Sequence, residues 1–173
     1  TGTTTISGGA GTTNSFNVGS GVTFYDDSAG VITFGSDVTV NSPVTVWNGK
    51  DDNDWTNNGN WAFGIPAASS TVIIAATTNA PELATTTVAL SEITIAQNAK
   101  FTLNTGADLQ STKITNNGEL TIKGGAITAT TLVNGNNSTI IYDGVSTPVW
   151  NTTDHTYNNL TIKSGSLTIA DNI

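Results

Sequence analysis

Residues 47–61, Trp-Asn-Gly-Lys-Asp-Asp-Asn-Asp-Trp-Thr-Asn-Asn-Gly-Asn-Trp, hold the side chains best suited to chemistry. Trp47, Trp55 and Trp61 supply large aromatic faces, with Asn60 beside the last of them. Such rings suit two tasks. They form a platform on which sugar rings stack, or they build a small core that plugs a Gly/Asn-rich loop, because large aromatics dominate burial energetics. Asp51, Asp52 and Asp54 place three carboxylates within four residues. Oxygen-rich clusters of this kind are what Ca²⁺ takes, although the EF-hand spacing is absent and no Glu closes the far end. A solvated acidic loop is the competing reading. Ca²⁺ is therefore the one cofactor the sequence suggests, with no cofactor as the alternative.

Catalytic signals are thin elsewhere. His155 is the only histidine and lies in Asn151-Thr-Thr-Asp-His-Thr156, a polar turn with no nucleophile motif. A Ser-His-Asp triad would depend on it. A glycosidase needs only two carboxylates at a set separation, which sequence alone does not test. A polysaccharide-acting β-helix enzyme on an acidic sugar calls for Arg or clustered Lys, whereas this chain has no Arg and five scattered Lys. The expected function is accordingly non-catalytic.

The elements that must position these residues are short strands. Only 36% of the 173 residues are hydrophobic and 10% are charged, the balance being rich in Thr, Asn, Gly and Ser. β-Branched Thr suits a pleated surface and Gly and Asn suit turns. Phe101-Thr-Leu, Leu120-Thr-Ile, Leu160-Thr-Ile and Leu167-Thr-Ile read apolar-Thr-apolar, the alternation of a half-buried strand. The chain is read as all-β. Leu103, Ile122, Ile141 and Leu160 recur at one spacing, and Ile95, Ile114 and Leu132 nearly share it. That periodicity predicts a parallel β-helix, or β-solenoid, with roughly 19-residue coils, stacking these residues in columns and interrupted by the Trp-rich loop. A β-sandwich is the alternative, since it too gives short strands with frequent turns.

A longer repeat frames the short one. Val22-Thr-Phe-Tyr near the start returns as Leu160-Thr-Ile-Lys, with Phe34 falling on Ile169 and Val38 on Ile173. An offset of about 138 residues marks an array in which one unit covers the next. Residues 1–42 read as the end of a preceding unit, and residues 43–173 as a Trp-motif segment, its solenoid coils and the start of the next unit boundary. The expected partners are neighbouring repeat units of the same chain. With no Met, the sequence reads as a processed piece or an excerpt of a longer protein.

Charge and composition exclude other classes. A net charge of −8 makes nucleic acid a very poor partner, because phosphates need cationic neutralisation. No apolar run is long enough for a membrane-spanning helix, so no membrane insertion is expected. The absence of Cys removes disulfides and thiolate sites.

The pattern Trp47-x-Gly49, Asp54-Trp55, Asn60-Trp61, Pro66 and Val72-x-Ile74 continues into Ile114-Thr-Asn-Asn-Gly-Glu-Leu-Thr-Ile122 and Tyr157-Asn-Asn-Leu-Thr-Ile162. It resembles a segment of large secreted surface proteins of the Bacteroidetes, adhesin-like repeat proteins exported by the type IX system, gliding-motility adhesins among them. The resemblance implies an extracellular, cell-surface β-helical repeat with adhesive or structural work, in a surface adhesin or filament. Surface polysaccharide is a further partner in that setting. No catalytic residue transfers with it. Asp27-Ser28-Ala29 resembles the short acceptor of Bacteroidetes protein O-glycosylation, which marks Ser28 as the candidate site. A carbohydrate-binding module built on Trp47, Trp55 and Trp61 is the first alternative function, and a polysaccharide-acting enzyme the second.

Overall fold

The computed structural model describes residues 4–6, 14–17, 32–34, 38–41, 44–144 and 157–165, the first four stretches as backbone alone. Ser28, Trp150 and His155 lie outside the described residues. The chain divides into two compact units, Thr1–Pro43 and Val44–Ile173.

In the first unit, β1 (Thr4–Ile6), β2 (Asn14–Asn17), β3 (Ile32–Phe34) and β4 (Val38–Asn41) pair in parallel as β1 with β3 and β2 with β4.

The second unit is a parallel β-solenoid, and the chain as a whole is nearly all β, with about 4 turns of coil. Five strands form one wall: β5 (Val44–Trp47), β6 (Thr71–Ile74), β8 (Leu90–Ile95), β10 (Asp108–Asn116) and β12 (Ala126–Asn134). Five more form the other: β7 (Glu82–Leu83), β9 (Lys100–Leu103), β11 (Glu119–Ile122), β13 (Thr139–Asp143) and β14 (Asn159–Ser164). Every pairing between these named strands is parallel, each strand lying beside its counterpart one coil away. A parallel neighbour requires a crossover, and here the rest of the coil supplies it. The single short 3₁₀ turn among the described residues is Asn58–Asn60. No helix among them is long and apolar enough to cross a membrane.

Alternation determines what is buried. Val72, Ile74, Ile93, Ile95 and Ile114 point inward from the first wall and meet Phe101, Leu103, Leu120, Ile122 and Tyr142 from the second, all in one core. Each such side chain contributes roughly 1.5–3 kcal/mol when withdrawn from water. Between them, Thr94, Thr102 and Thr115 face outward and stay half-buried. Across the outer surface, Lys113 meets Glu92 at 2.7 Å and Lys100 meets Glu119 at 3.5 Å; such exposed pairs contribute little to stability.

The expected column of Leu103, Ile122, Ile141 and Leu160 is corrected by the strand register. The actual columns are Leu103–Ile122–Tyr142–Ile162 and Phe101–Leu120–Ile140–Leu160. Ile141 stands with Thr121 and Thr161 on the opposite face. Likewise Ile114 pairs with Ile93 and Leu132, while Ile95 pairs with Asn116. The physical cause is unequal corners. Only Asn117 and Gly118 separate β10 from β11, whereas residues 135–138 separate β12 from β13. The corner before β12 (residues 123–125) is one residue shorter than that before β10 (residues 104–107), so the path from β11 to β13 is one residue longer than that from β9 to β11. A step of one residue in a strand moves a side chain to the other face, so a fixed 19-residue count drifts out of register.

Asn116 occupies an inward position filled by Ile74 and Ile95 in the preceding coils and by Asn134 in the next, and it is fully buried. Its amide accepts from Gly118 N at 3.1 Å and donates to Asn134 Oδ1 at 3.2 Å and Thr139 O at 3.3 Å. A buried amide costs free energy unless bonded, and here it ties one tight corner to the coil above.

Candidate functional site

Residues 48–70 connect β5 to β6 and carry most of the residues singled out in the sequence. This segment does more than interrupt the solenoid. Trp55 N donates to Glu82 O at 3.3 Å and Glu82 N donates to Asn53 O at 2.8 Å, giving a parallel bridge between Asp54 and Glu82. Residues 53–55 therefore extend the second wall beyond β7 and stand where the first coil needs a strand.

From that position the tryptophans turn inward. Trp47, Trp55 and Trp61 are 0%, 5% and 4% exposed. Trp61 lies between the other two, its ring edge-on to Trp47 at 5.1 Å and to Trp55 at 4.7 Å. Trp55 in turn stacks on Phe101 of β9 at 5.2 Å with 23° between the planes. Edge-to-face and offset-stacked pairs suit the ring quadrupoles. The indole N–H groups are also committed. Trp61 Nε1 donates to Trp55 O at 2.9 Å, and Trp47 Nε1 donates to Asn79 O at 2.8 Å. No ring face of the three is left open for a sugar. The cluster is a plug at the β5 end of the core.

Asn60 closes the loop around this plug. It is fully buried. Its Oδ1 accepts from Asp51 N at 2.9 Å and Asp52 N at 3.0 Å, while Nδ2 donates to Asp52 Oδ1 at 2.6 Å and Asp54 O at 3.0 Å. One side chain thus satisfies four groups of a turn that has no regular ladder of its own.

The aspartates serve that same turn. Asp52 accepts from Asn57 Nδ2 at 2.9 Å, from Asn60 Nδ2 and from Asp54 N at 2.9 Å. Asp54 Oδ1 accepts from Thr56 N and Thr56 Oγ1, both at 2.8 Å. Asp51, Asp52 and Asp54 are all exposed. Among the described residues, no group of three or more His, Cys, Asp or Glu side chains converges as a metal site. The chemistry of Asp52 and Asp54 here is hydrogen bonding to the loop.

Those bonds hold the Asp52 carboxyl below the usual carboxylate range, through the Asn57 amide first, then Asn60 and the Asp54 N–H, against a smaller opposing effect of desolvation. A group depressed in the folded state stabilises above its unfolded pKa, and that stabilisation is lost as pH falls through the folded value. Order in the tryptophan loop should therefore be unchanged from neutral pH down to the ordinary Asp range and should weaken below it. Tryptophan fluorescence followed during acid titration checks this. An Asp52→Asn variant should lose the acid-dependent step contributed by this group.

Sequence reasoning missed three participants. Phe101 was read as an ordinary strand residue, yet it is the floor of the plug. Asn79 joins the loop to β5: its carbonyl takes the Trp47 indole and its Nδ2 donates to Gly49 O at 2.9 Å. Glu82 receives Asn53 Nδ2 at 2.9 Å and Asn104 Nδ2 at 3.0 Å, which links the loop to the coil above. The Asn79-Ala-Pro81 turn signal before the short β7 was the available hint.

Away from the plug, an open depression of about 410 Å³ crosses the corners of three coils. Gln97, Asn98, Asn117 and Asn137 line it together with the Lys100–Glu119 pair. It contains no aromatic face and no partly buried acid pair.

The sequence model of a family described as a domain of unknown function, DUF8693, matches residues 46–172. No curated protein and no solved structure matches the chain.

Proposed function

The chain belongs to the DUF8693 family, whose description assigns no activity, and from its geometry we propose that it is a non-catalytic, load-bearing repeat unit of a long extracellular surface adhesin or filament. The observation that carries this reading is that the apolar columns run through the described coils and are still apolar at β14. At one end three tryptophans close the core. At β14, Ile162 occupies an inward column yet is 47% exposed, and Leu160 beside it is only half-buried. Solenoid coils cover one another's apolar columns, so Leu160 and Ile162 present apolar surface of the kind against which a further coil stacks.

The cross-coil bonding supports the same reading. Backbone ladders, the Asn116 bridge and stacked Ile/Leu columns all act along the solenoid axis, which is the direction in which a stalk is loaded. Glu92 and Glu119 are held by lysines and Glu82 by two amides, an arrangement that serves structure. The likeness of the tryptophan segment to secreted Bacteroidetes surface repeats motivates the extracellular placement. The carbohydrate-module reading required exposed indoles and loses its motivation with the rings buried.

The test is association and location. The 173-residue chain should associate with rising concentration in sedimentation velocity, and Ile162→Lys should abolish that, because it places a charge in the column meant for the next coil. A monodisperse chain at all concentrations would count against continuation through this end. Antibody raised against the unit should label intact producing cells and lose its signal after protease shaving; labelling only after lysis would remove the surface role.

A further inference from the structure

We propose that Asn48 is a site of spontaneous deamidation, at which the tryptophan plug is slowly converted to an aspartyl or isoaspartyl form. Asn-Gly pairs are the sequences most open to this reaction, because glycine leaves the following amide nitrogen unhindered. The chain carries such pairs at Asn48-Gly49, Asn58-Gly59, Asn117-Gly118 and Asn134-Gly135. The fold treats them unequally.

At three of them the attacking nitrogen is held and the amide is turned elsewhere. Gly59 N donates to Asn57 Oδ1 at 3.0 Å, while Asn58 Oδ1 accepts from Ile65 N. Gly118 N donates to the buried Asn116 side chain at 3.1 Å, and the Asn117 amide lies against Gly135 of the next coil. Gly135 N donates to Asn116 O at 2.8 Å, and Asn134 Oδ1 accepts from Asn116 Nδ2.

At Gly49 the amide makes only a 3.4 Å contact to Asn60 O, an acceptor already taken at 2.8 Å by Asn48 N. Asn48 is exposed, and its Oδ1 accepts from Lys50 N at 3.0 Å. That bond folds the side chain forward over Gly49 and places an N–H where negative charge develops on the oxygen, the arrangement that stabilises an oxyanion.

The reaction needs only water. Gly49 N loses its proton to hydroxide and attacks Asn48 Cγ, forming a C–N bond. The tetrahedral centre, with its charge on Oδ1, collapses as Nδ2 takes a proton and leaves as ammonia. Water then adds to either carbonyl of the succinimide. Opening one way gives an aspartyl residue, and opening the other gives an isoaspartyl residue with one extra methylene in the main chain. No oxidation or reduction occurs.

The architecture preserves this liability. Gly49 has φ +55°, and a Cβ there would meet Asn79 O at 2.4 Å and Trp47 Nε1 at 2.9 Å. Only glycine fits beneath the plug, so the Asn48-Gly49 pair is not relieved by a bulkier residue at position 49. Conversion places a new negative charge beside Asp51 and Asp52, and the isoaspartyl form lengthens the chain inside the bridge between Trp47 and Trp61.

The test incubates the full 173-residue chain at mildly alkaline pH, native and in guanidinium chloride, with peptide mapping and isoaspartyl methyltransferase labelling. In the native state, position 48 should convert about tenfold faster than positions 58, 117 and 134, the ratio set by roughly one net hydrogen bond of ~1.4 kcal/mol. In denaturant the pairs should convert at similar rates. Asn48→Gln should remove the native-state signal while leaving the melting temperature unchanged. Native conversion as fast at any other pair, or silence at Asn48 while the denatured chain converts, overturns the assignment.

Discussion

Replacing Trp61 with alanine should lower the melting temperature of the second unit by roughly 6–20 °C, from a loss of about 3–5 kcal/mol spread over a domain of this size. The magnitude follows from its place. Trp61 is 4% exposed and is the ring that touches both Trp47 and Trp55. Its removal leaves a cavity that neither neighbour can fill without releasing its own N–H bond or the stack on Phe101. The Trp55 carbonyl also loses its indole donor. Calorimetry on Trp61→Ala and Trp61→Phe gives the measurement. The phenylalanine variant should recover part of the loss, because it restores ring contact without the hydrogen bond. An unchanged melting temperature for Trp61→Ala would show that the plug adds nothing to the core.

Gly118→Ala should be comparably damaging, with a cost of about 3 kcal/mol or more, the upper part of the range for overpacked sites. A Cβ at position 118 would come within 2.3 Å of Ala99 O and 2.5 Å of Ala96 O. Both are backbone atoms of the coil below, and neither can move without breaking the ladder. Gly106→Ala is the control. Its φ is +84° but nothing lies within 4 Å of the added carbon, so only the left-handed conformation is penalised, by about 1 kcal/mol once the stiffer unfolded chain offsets part of it. Denaturant melts of the two variants should separate cleanly. Equal effects would mean that backbone conformation, and not contact between coils, governs the tight corner.

The contrast between these glycines shows where sequence reading stops. Both sit in polar turns with similar neighbours, and nothing local tells them apart. Gly118 is required by a carbonyl from the previous coil, a contact between residues distant along the chain. The same limit applied to Ile141. Its spacing from Ile122 matches the expected column, but the corner before β13 is two residues longer than that before β11 while the corner before β12 is one shorter than that before β10, and this net shift of one residue gives Tyr142 the inward place and Ile141 the outer one.

Local chemistry alone determined the class of fold. Alternating apolar and Thr residues can bury only one face of a strand, and Gly and Asn at regular intervals force turns, so an all-β fold follows from short-range preference, and the near-regular recurrence of apolar positions favours stacked coils over a β-sandwich. The aromatic and amide composition of residues 47–61 likewise marked a loop with a core of its own. The tertiary structure decided what those residues became. Indoles suited by type to a sugar platform or a core are drawn under the first coil by Phe101 and Asn79. Asp52 and Asp54, drawn from an acidic run, accept from Asn57, Asn60 and Thr56 within the loop. The reason is common to all of them: composition sets which bonds a side chain can make, but the partner is brought by another coil, and the register between coils depends on corner lengths that a repeating pattern does not encode.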